Sequence, residues 1–293
     1  MSTVTTIVPR LLRWGRLFSS FVKFEHTLFA LPFAYVGMLI AAEGIPSLRA
    51  FVWITLAMVG ARTAAMAINR VVDARIDARN PRTAQREIPA GHIMPAQGVL
   101  IAVAASLLLI VAGLALNRLT AQLLPVALIF LALYPYTKRF TWLCHIWLGI
   151  TIGAAAAGGY IAVTGEFSAV TWLLWLGVGA WIAGFDVLYA FLDLEFDTSN
   201  GVHSIPARFG VKPARTIAAA LHLVAGVALL ALPLASSLGW LYLSSIALTV
   251  VPLLIWQHLL VARKGAAVAL AAFNANLWIS SLVLIAVVTD LLF

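Results

Sequence analysis

The 293-residue chain has a single cysteine, Cys144, which excludes an intrachain disulfide and a cysteine-based metal site. Charge is scarce too: Asp, Glu, Lys and Arg make up only 10% of the residues, with eleven acids in all. The alternating apolar and polar pattern of a transmembrane β-barrel is missing, because the apolar runs are continuous. Residues 1–23 lack the compact apolar core and small-residue cleavage site of a secretory signal.

Long hydrophobic runs are abundant instead. Hydrophobic residues make up 63% of the chain, which includes ten Trp, and the mean hydropathy is +1.01. A helix needs about 20 mostly apolar residues to cross a bilayer. Runs that meet this fall near 26–42, 51–69, 97–115, 119–135, 142–163, 168–188, 214–233, 239–257 and 267–290. They predict an all-α polytopic membrane protein, a bundle of nine transmembrane helices.

The net charge of +8 is not spread as a nucleic-acid surface would need, so no nucleic-acid partner is expected. Sixteen of the nineteen basic residues lie in the N-terminal segment and in the loops after every second span. They are Arg10, Arg13, Arg16 and Lys23; Arg70, Arg75, Arg79, Arg82 and Arg86; Lys138 and Arg139; Arg208, Lys212 and Arg215; and Arg263 with Lys264. The opposite loops hold only Arg49 and Arg118. The positive-inside rule then puts the N-terminus and these basic loops on the cytoplasmic side of the plasma membrane. Leu11, Trp14, Phe18 and Phe21, at helical spacing among basic residues, predict an interfacial helix over 1–23.

Six of the eleven acids form two clusters against this apolar background. Asn69, Asp73 and Asp77 recur every four residues and share one helix face, with Arg62 seven residues earlier on the same face. Asn80, Arg82, Thr83 and Arg86 follow in a long loop. The second cluster runs through Asp186, Tyr189, Asp193, Glu195 and Asp197, and on a continuous helix all but Glu195 share a face. An ionisable side chain at membrane depth costs a few kcal/mol or more unless a cavity, metal or partner compensates. Carboxylates at this spacing suit Mg²⁺, which is usually held by one or two carboxylates together with substrate phosphates. Nearby Arg and Lys would neutralise the remaining phosphate charge. Solvated ion pairs at helix ends are the plainer reading of one stripe, and two similar stripes weaken it. Tyr134 and Lys138, four apart, sit with Arg139 at the end of another span, where an interface anchor is the alternative to a phosphate contact.

At these residues the chain resembles the UbiA superfamily of intramembrane prenyltransferases. Asn69, Asp73 and Asp77 match its NxxxDxxxD motif, Asp193 and Asp197 its DxxxD motif, and Asp186, Tyr189 and Ala190 its DxxYA element. Tyr134 and Lys138 match its YxxxK element, and the runs at Asn80–Thr83 and His203–Gly210 are also similar. The segments Phe24–Ala34 and Asp186–Gly210 resemble most the 4-hydroxybenzoate polyprenyltransferase branch, especially its relatives acting on hydroxynaphthoates. The run Ala154–Tyr160 departs from that pattern, in which a proline often stands.

The resemblance implies one prenyltransferase membrane domain over 1–293, Mg²⁺ as cofactor, a polyprenyl diphosphate donor, an aromatic acid acceptor, and a lateral opening to the lipid bilayer. No obligate protein partner is implied. Asp73, Asp77, Asp193 and Asp197 are then the metal ligands, and Asn69, Arg82, Arg86, Tyr134, Lys138 and Arg139 the substrate contacts. Asp186, with Tyr189, is the candidate for orienting the phenol or taking its proton, and Arg62 for the acceptor carboxylate or, equally, as a structural partner to Asp73 or Asp186. His26 and His145 read as packing or interface residues, and His203 has no assigned chemistry. A cation transporter would show midplane acids on broken helices, and a CDP-alcohol phosphotransferase a DGxxAR run, which is absent. Haem farnesylation and glycerophosphate-lipid synthesis remain open within the superfamily.

Overall fold

A computed structural model describes residues 14–265 and 269–293. After helical residues 14–22 (α1), the chain runs through α2 (Phe24–Ala42), α3 (Leu48–Asp77), α4 (Pro95–Leu116), α5 (Arg118–Thr137), α6 (Cys144–Thr164) and α7 (Ala169–Tyr189). A 3₁₀ turn (Ala190–Asp193), α8 (Leu194–Asn200) and α9 (Ile205–Phe209) lead into α10 (Val211–Leu230). Then α11 (Trp240–Ser245) continues through a π turn into α12 (Val251–Lys264), and α13 (Ala269–Leu292) ends the chain. Eight helical stretches in the described residues are long and apolar enough to cross a membrane, and α2 adds a shorter apolar helix. The all-α bundle predicted from the apolar runs is the observed fold.

Side-chain caps fix where the helices start. Ser47 Oγ accepts the Ala50 N–H at 3.2 Å to open α3. Asn117 caps α5 by accepting the Thr120 N–H at 2.9 Å. Its amide also donates to the Ile161 and Ala162 carbonyls at 2.7 and 3.1 Å, tying the α4–α5 turn to the end of α6. Helix α7 is the most buried span. It is apolar all round, as a central helix must be, with Leu174, Val178, Trp181 and Ile182 in the core. The Trp181 indole donates to Asn276 at 2.8 Å, and Asn276 donates to Gln257 at 3.1 Å, so α7, α12 and α13 share buried polar contacts. By contrast, Leu100, Val103, Leu107, Leu114, Leu223, Trp278 and Ile285 face outward, toward the lipid.

Two expectations need correction, and part of one lies outside the described residues. The second acidic stripe does not lie on one continuous helix, because the 3₁₀ turn at Ala190–Asp193 separates α7 from α8. Residues 1–13 of the expected interfacial helix, with Arg10, Leu11 and Arg13, lie outside the described residues. The remainder does not simply float at the interface. Trp14 and Phe18 are exposed, but Phe21 and Val22 are buried against the bundle, and Ser20 donates to Glu87 at 2.6 Å.

Helix α6 packs by close backbone approach. A Cβ on Gly159 would stand 2.1 Å from the Ala34 carbonyl oxygen of α2, and one on Gly153 2.7 Å from the Gly179 nitrogen of α7. The run Ala154–Tyr160 is continuous helix. Part of it faces an apolar cavity of about 250 Å³ between α2, α3, α5 and α6, lined by Ala154, Ala155 and Gly158 among others. Gly158 has nothing within 4 Å of where a Cβ would sit. Gly159→Ala should therefore destabilise the protein by about 1–3 kcal/mol, the usual cost of overpacking, while Gly158→Ala changes stability little. Thermal unfolding of the two variants in detergent checks this.

Candidate active site

Both acidic stripes reach one cavity of about 220 Å³ at the end of the bundle that carries the basic loops. The last turns of α3 supply Asn69, Asp73 and Asp77, and the following loop supplies Asn80, Arg82, Thr83 and Arg86. The end of α5 adds Tyr134 and Lys138, and the start of α6 adds Cys144 and His145. Asp186 and Tyr189 come from α7, Asp193 from the 3₁₀ turn and Asp197 from α8. The helix break therefore does not scatter the second stripe.

Asp73 and Asp77 stand at the C-terminal end of α3, where the helix dipole is negative and two carboxylates are unfavourable without cations. Cations are supplied by tertiary contacts. Lys138 Nζ donates to Asp73 Oδ2 at 2.5 Å, and Asn69 donates to the same oxygen at 2.9 Å. Arg139 Nη1 is 3.1 Å from Asp73 Oδ1 as an ion pair, yet that buried oxygen has no aligned hydrogen bond. Arg86 Nη1 donates to both oxygens of Asp77 at 2.8 Å.

The second stripe is matched in the same way. Asn80 Nδ2 and Arg82 Nε each donate to Asp193 Oδ1 at 2.8 Å, while Arg82 Nη2 binds Oδ2. Arg82 Nη1 reaches the Tyr189 hydroxyl at 2.9 Å. Burial works against the Arg82 charge, but the hydrogen bonds to Asp193 outweigh it and raise its pKa above the ordinary arginine value. Asp197 is buried and hydrogen-bonded by Ser204. The loop carrying Ser204 is tied to α5 by the His203 N–H, which donates to the Lys138 carbonyl at 2.8 Å.

Some expected residues sit elsewhere. Arg139 stands behind Asp73 rather than on the cavity wall, donating to the Pro135 and Val72 carbonyls at 2.8 Å each. Glu195, left off the shared face in the sequence reading, is exposed and does not line the cavity. Arg62 also stays off the lining. It makes no ion pair with Asp73, whose cations are Lys138 and Arg139, or with Asp186, so the structural partnership expected for it is not formed. Its buried Nε has no hydrogen-bond partner among the described residues. The His26 side chain lies outside the described ones. His145 corrects the sequence reading: it is a cavity residue whose Nδ1 lies 2.6 Å from Asp186 Oδ2. Asn80, a ligand of Asp193, was visible only as part of the Asn80–Thr83 run.

Among the described residues no three acids or histidines converge into a ready-made metal cage. The donor set fits Mg²⁺ all the same, since that ion takes one or two carboxylates and completes its shell with water and phosphate oxygens. Asp73, Asp77, Asp193 and Asp197 all line the cavity and offer such an ion carboxylate oxygens from both stripes.

Residues 30–282 match the model of the UbiA prenyltransferase family. The chain is 30% identical over 277 residues to a 4-hydroxybenzoate octaprenyltransferase of Coxiella burnetii, covering 92% of this chain and 91% of the relative. It is 32% identical over 254 residues to the protein of the same name from Aromatoleum aromaticum, covering 86% and 85%. An apo structure of a UbiA homolog from Aeropyrum pernix K1 superposes with a TM-score of 0.83 at 33% identity, over 91% of this chain and 98% of that one. A UbiA homolog from Archaeoglobus fulgidus bound to GPP and Mg²⁺ shares the fold, with a TM-score of 0.71 at 17% identity, over 93% and 99% of the two chains. This chain is an integral membrane prenyltransferase and belongs to the UbiA prenyltransferase family.

Proposed function

We propose that the chain transfers a polyprenyl group from a polyprenyl diphosphate to an aromatic hydroxy acid, 4-hydroxybenzoate or a hydroxynaphthoate, in ubiquinone or menaquinone synthesis. The observation that carries this reading is the single cavity that gathers both acid stripes with Arg82, Arg86 and Lys138. The names of the Coxiella and Aromatoleum relatives support the acceptor class, and the Archaeoglobus neighbour, with GPP and Mg²⁺, supports the donor and the ion.

Asp73, Asp77, Asp193 and Asp197 would hold Mg²⁺, with Asn69 beside them. Bound there, the ion would neutralise charge building on the departing diphosphate. Lys138, Arg82 and Arg86 neutralise the acids and would turn to phosphate oxygens once donor is bound. Fixed charges of this kind, poised where charge develops, usually contribute more to such catalysis than any other effect. The prenyl tail would occupy the apolar cavity, whose Leu131 and Thr151 lie three residues from Tyr134 and Leu148 on the polar cavity wall. Those apolar walls would keep water from the allylic cation. Asp186 takes the phenolic proton, with Tyr189 nearby. Arg62 holds the acceptor carboxylate, which gives its buried, unbonded Nε an anionic partner.

Membranes containing the protein, given Mg²⁺, a prenyl diphosphate series and separate benzoate and naphthoate acceptors, should yield a prenylated aromatic acid by mass spectrometry. EDTA should abolish that product and Mg²⁺ restore it. Asp73→Ala and Asp193→Ala should each abolish turnover, and full activity in either folded variant would refute the two-stripe metal site.

Arg62→Ala should raise the acceptor KM at least tenfold and leave the donor KM nearly unchanged. Losing a buried charged pair typically costs about 2–5 kcal/mol. The opposite split would place Arg62 with the phosphates.

The basic loops support a cytoplasmic location for this end of the bundle. In a Cys144→Ala background, cysteines at the exposed positions Arg79 and Gly201 should both label from the cytoplasmic side only. Labelling from outside would invert the orientation.

A further inference from the structure

His145 opens α6 and is almost fully buried, yet it lines the polar cavity. Its Nδ1 is 2.6 Å from Asp186 Oδ2. An ionised carboxylate only accepts hydrogen bonds, so Nδ1–H is the donor whichever charge the ring carries. Its Nε2 is buried without a hydrogen-bond partner among the described residues. The Asp186 side chain remains 26% exposed, and among the described residues no hydrogen bond engages its Oδ1. One carboxylate oxygen is thus fastened and the other is free of hydrogen bonds, on a residue that lines the cavity.

We propose that His145 is the positioning residue for the proton acceptor of the reaction: it holds Asp186 so that the free oxygen meets the phenolic hydroxyl of the aromatic acid. This rests on the acceptor class proposed above. In the step, the phenolic proton passes to Asp186 Oδ1. The C1–O bond of the donor breaks, and its electron pair leaves on the diphosphate. The ring carbon beside the phenolate oxygen forms the new C–C bond. Rearomatisation releases that carbon's hydrogen as a proton to the departed diphosphate, and Asp186 returns its proton to the oxygen. A contact serving only to glue α6 to α7 would have no dependence on the acidity of the phenol.

The test uses the full-length protein in nanodiscs with Mg²⁺, saturating prenyl diphosphate, and whichever hydroxybenzoate or hydroxynaphthoate the wild type prenylates. A ring-fluorinated analogue with a more acidic hydroxyl is run beside it. His145→Leu should lower kcat by about a hundredfold, within the usual range for general-base catalysis, with the donor KM unchanged. The fluorinated acceptor should recover roughly tenfold or more of that loss, because it needs less help to ionise. His145→Asn, whose amide N–H can stand where Nδ1–H does, should keep activity within roughly tenfold of wild type, whereas His145→Gln, reaching the Nε2 position, should not. If His145→Leu does not fold, the Asn and Gln pair decides alone.

Equal losses with both acceptors, or a raised donor KM with intact kcat, would overturn the role of His145 and leave the proposed function standing. A wild type that prenylates no aromatic acid would overturn both.

Discussion

Unpaired charge in a low-dielectric bundle is the constraint on which this structure depends. A carboxylate left alone at membrane depth costs several kcal/mol, and Asp73 and Asp77 are further disfavoured by the negative end of the α3 dipole. The fold answers with cations from other elements: Lys138 and Arg139 from the end of α5, and Arg82 and Arg86 from the loop after α3. Buried pairs of this kind seldom add net stability, because desolvation consumes most of the attraction. Their value is geometric. Each cation fixes an acid on a second element, so α3, α5, the 3₁₀ turn and the loop between α3 and α4 cannot move independently.

Acids and cations neutralise one another across the cavity. Under the proposed function, a diphosphate with its divalent ion would carry complementary charge for both sets at once, the acids turning to the ion and the cations to the phosphates. Little net charge needs to be created or desolvated when one set of partners replaces the other.

The helices and the acid registers were legible in the sequence because both are local signals. An apolar run near 20 residues has few alternatives to a membrane-spanning helix, and a four-residue spacing puts Asn69, Asp73 and Asp77 on one face whatever surrounds them. What escaped was tertiary. Ala190–Asp193 contains no Gly or Pro to announce a break, yet a 3₁₀ turn there separates α7 from α8. Arg139 reads as a phosphate ligand from its place beside Lys138, but the adjacent position on a helix end points elsewhere, behind Asp73. A buried Phe21 and an exposed Phe18 are indistinguishable by composition.

His145 shows how backbone packing can create chemistry that no motif records. Its partner Asp186 is 41 residues away in the sequence, on the next span. One turn into α6, a Cβ on Gly149 would lie 2.3 Å from the Gly179 carbonyl and 3.0 Å from Ala183 Cβ, an approach open only to glycine. That seam, continued by Gly153 against Gly179, draws α6 and α7 together, as small residues do between membrane helices. With the axes this close, side chains a turn beyond the seam meet directly, and the imidazole spans to the carboxylate without a bridging water. The small-residue seam and the His145–Asp186 pair are therefore one feature at two depths: the glycines set the distance, and the polar pair uses it.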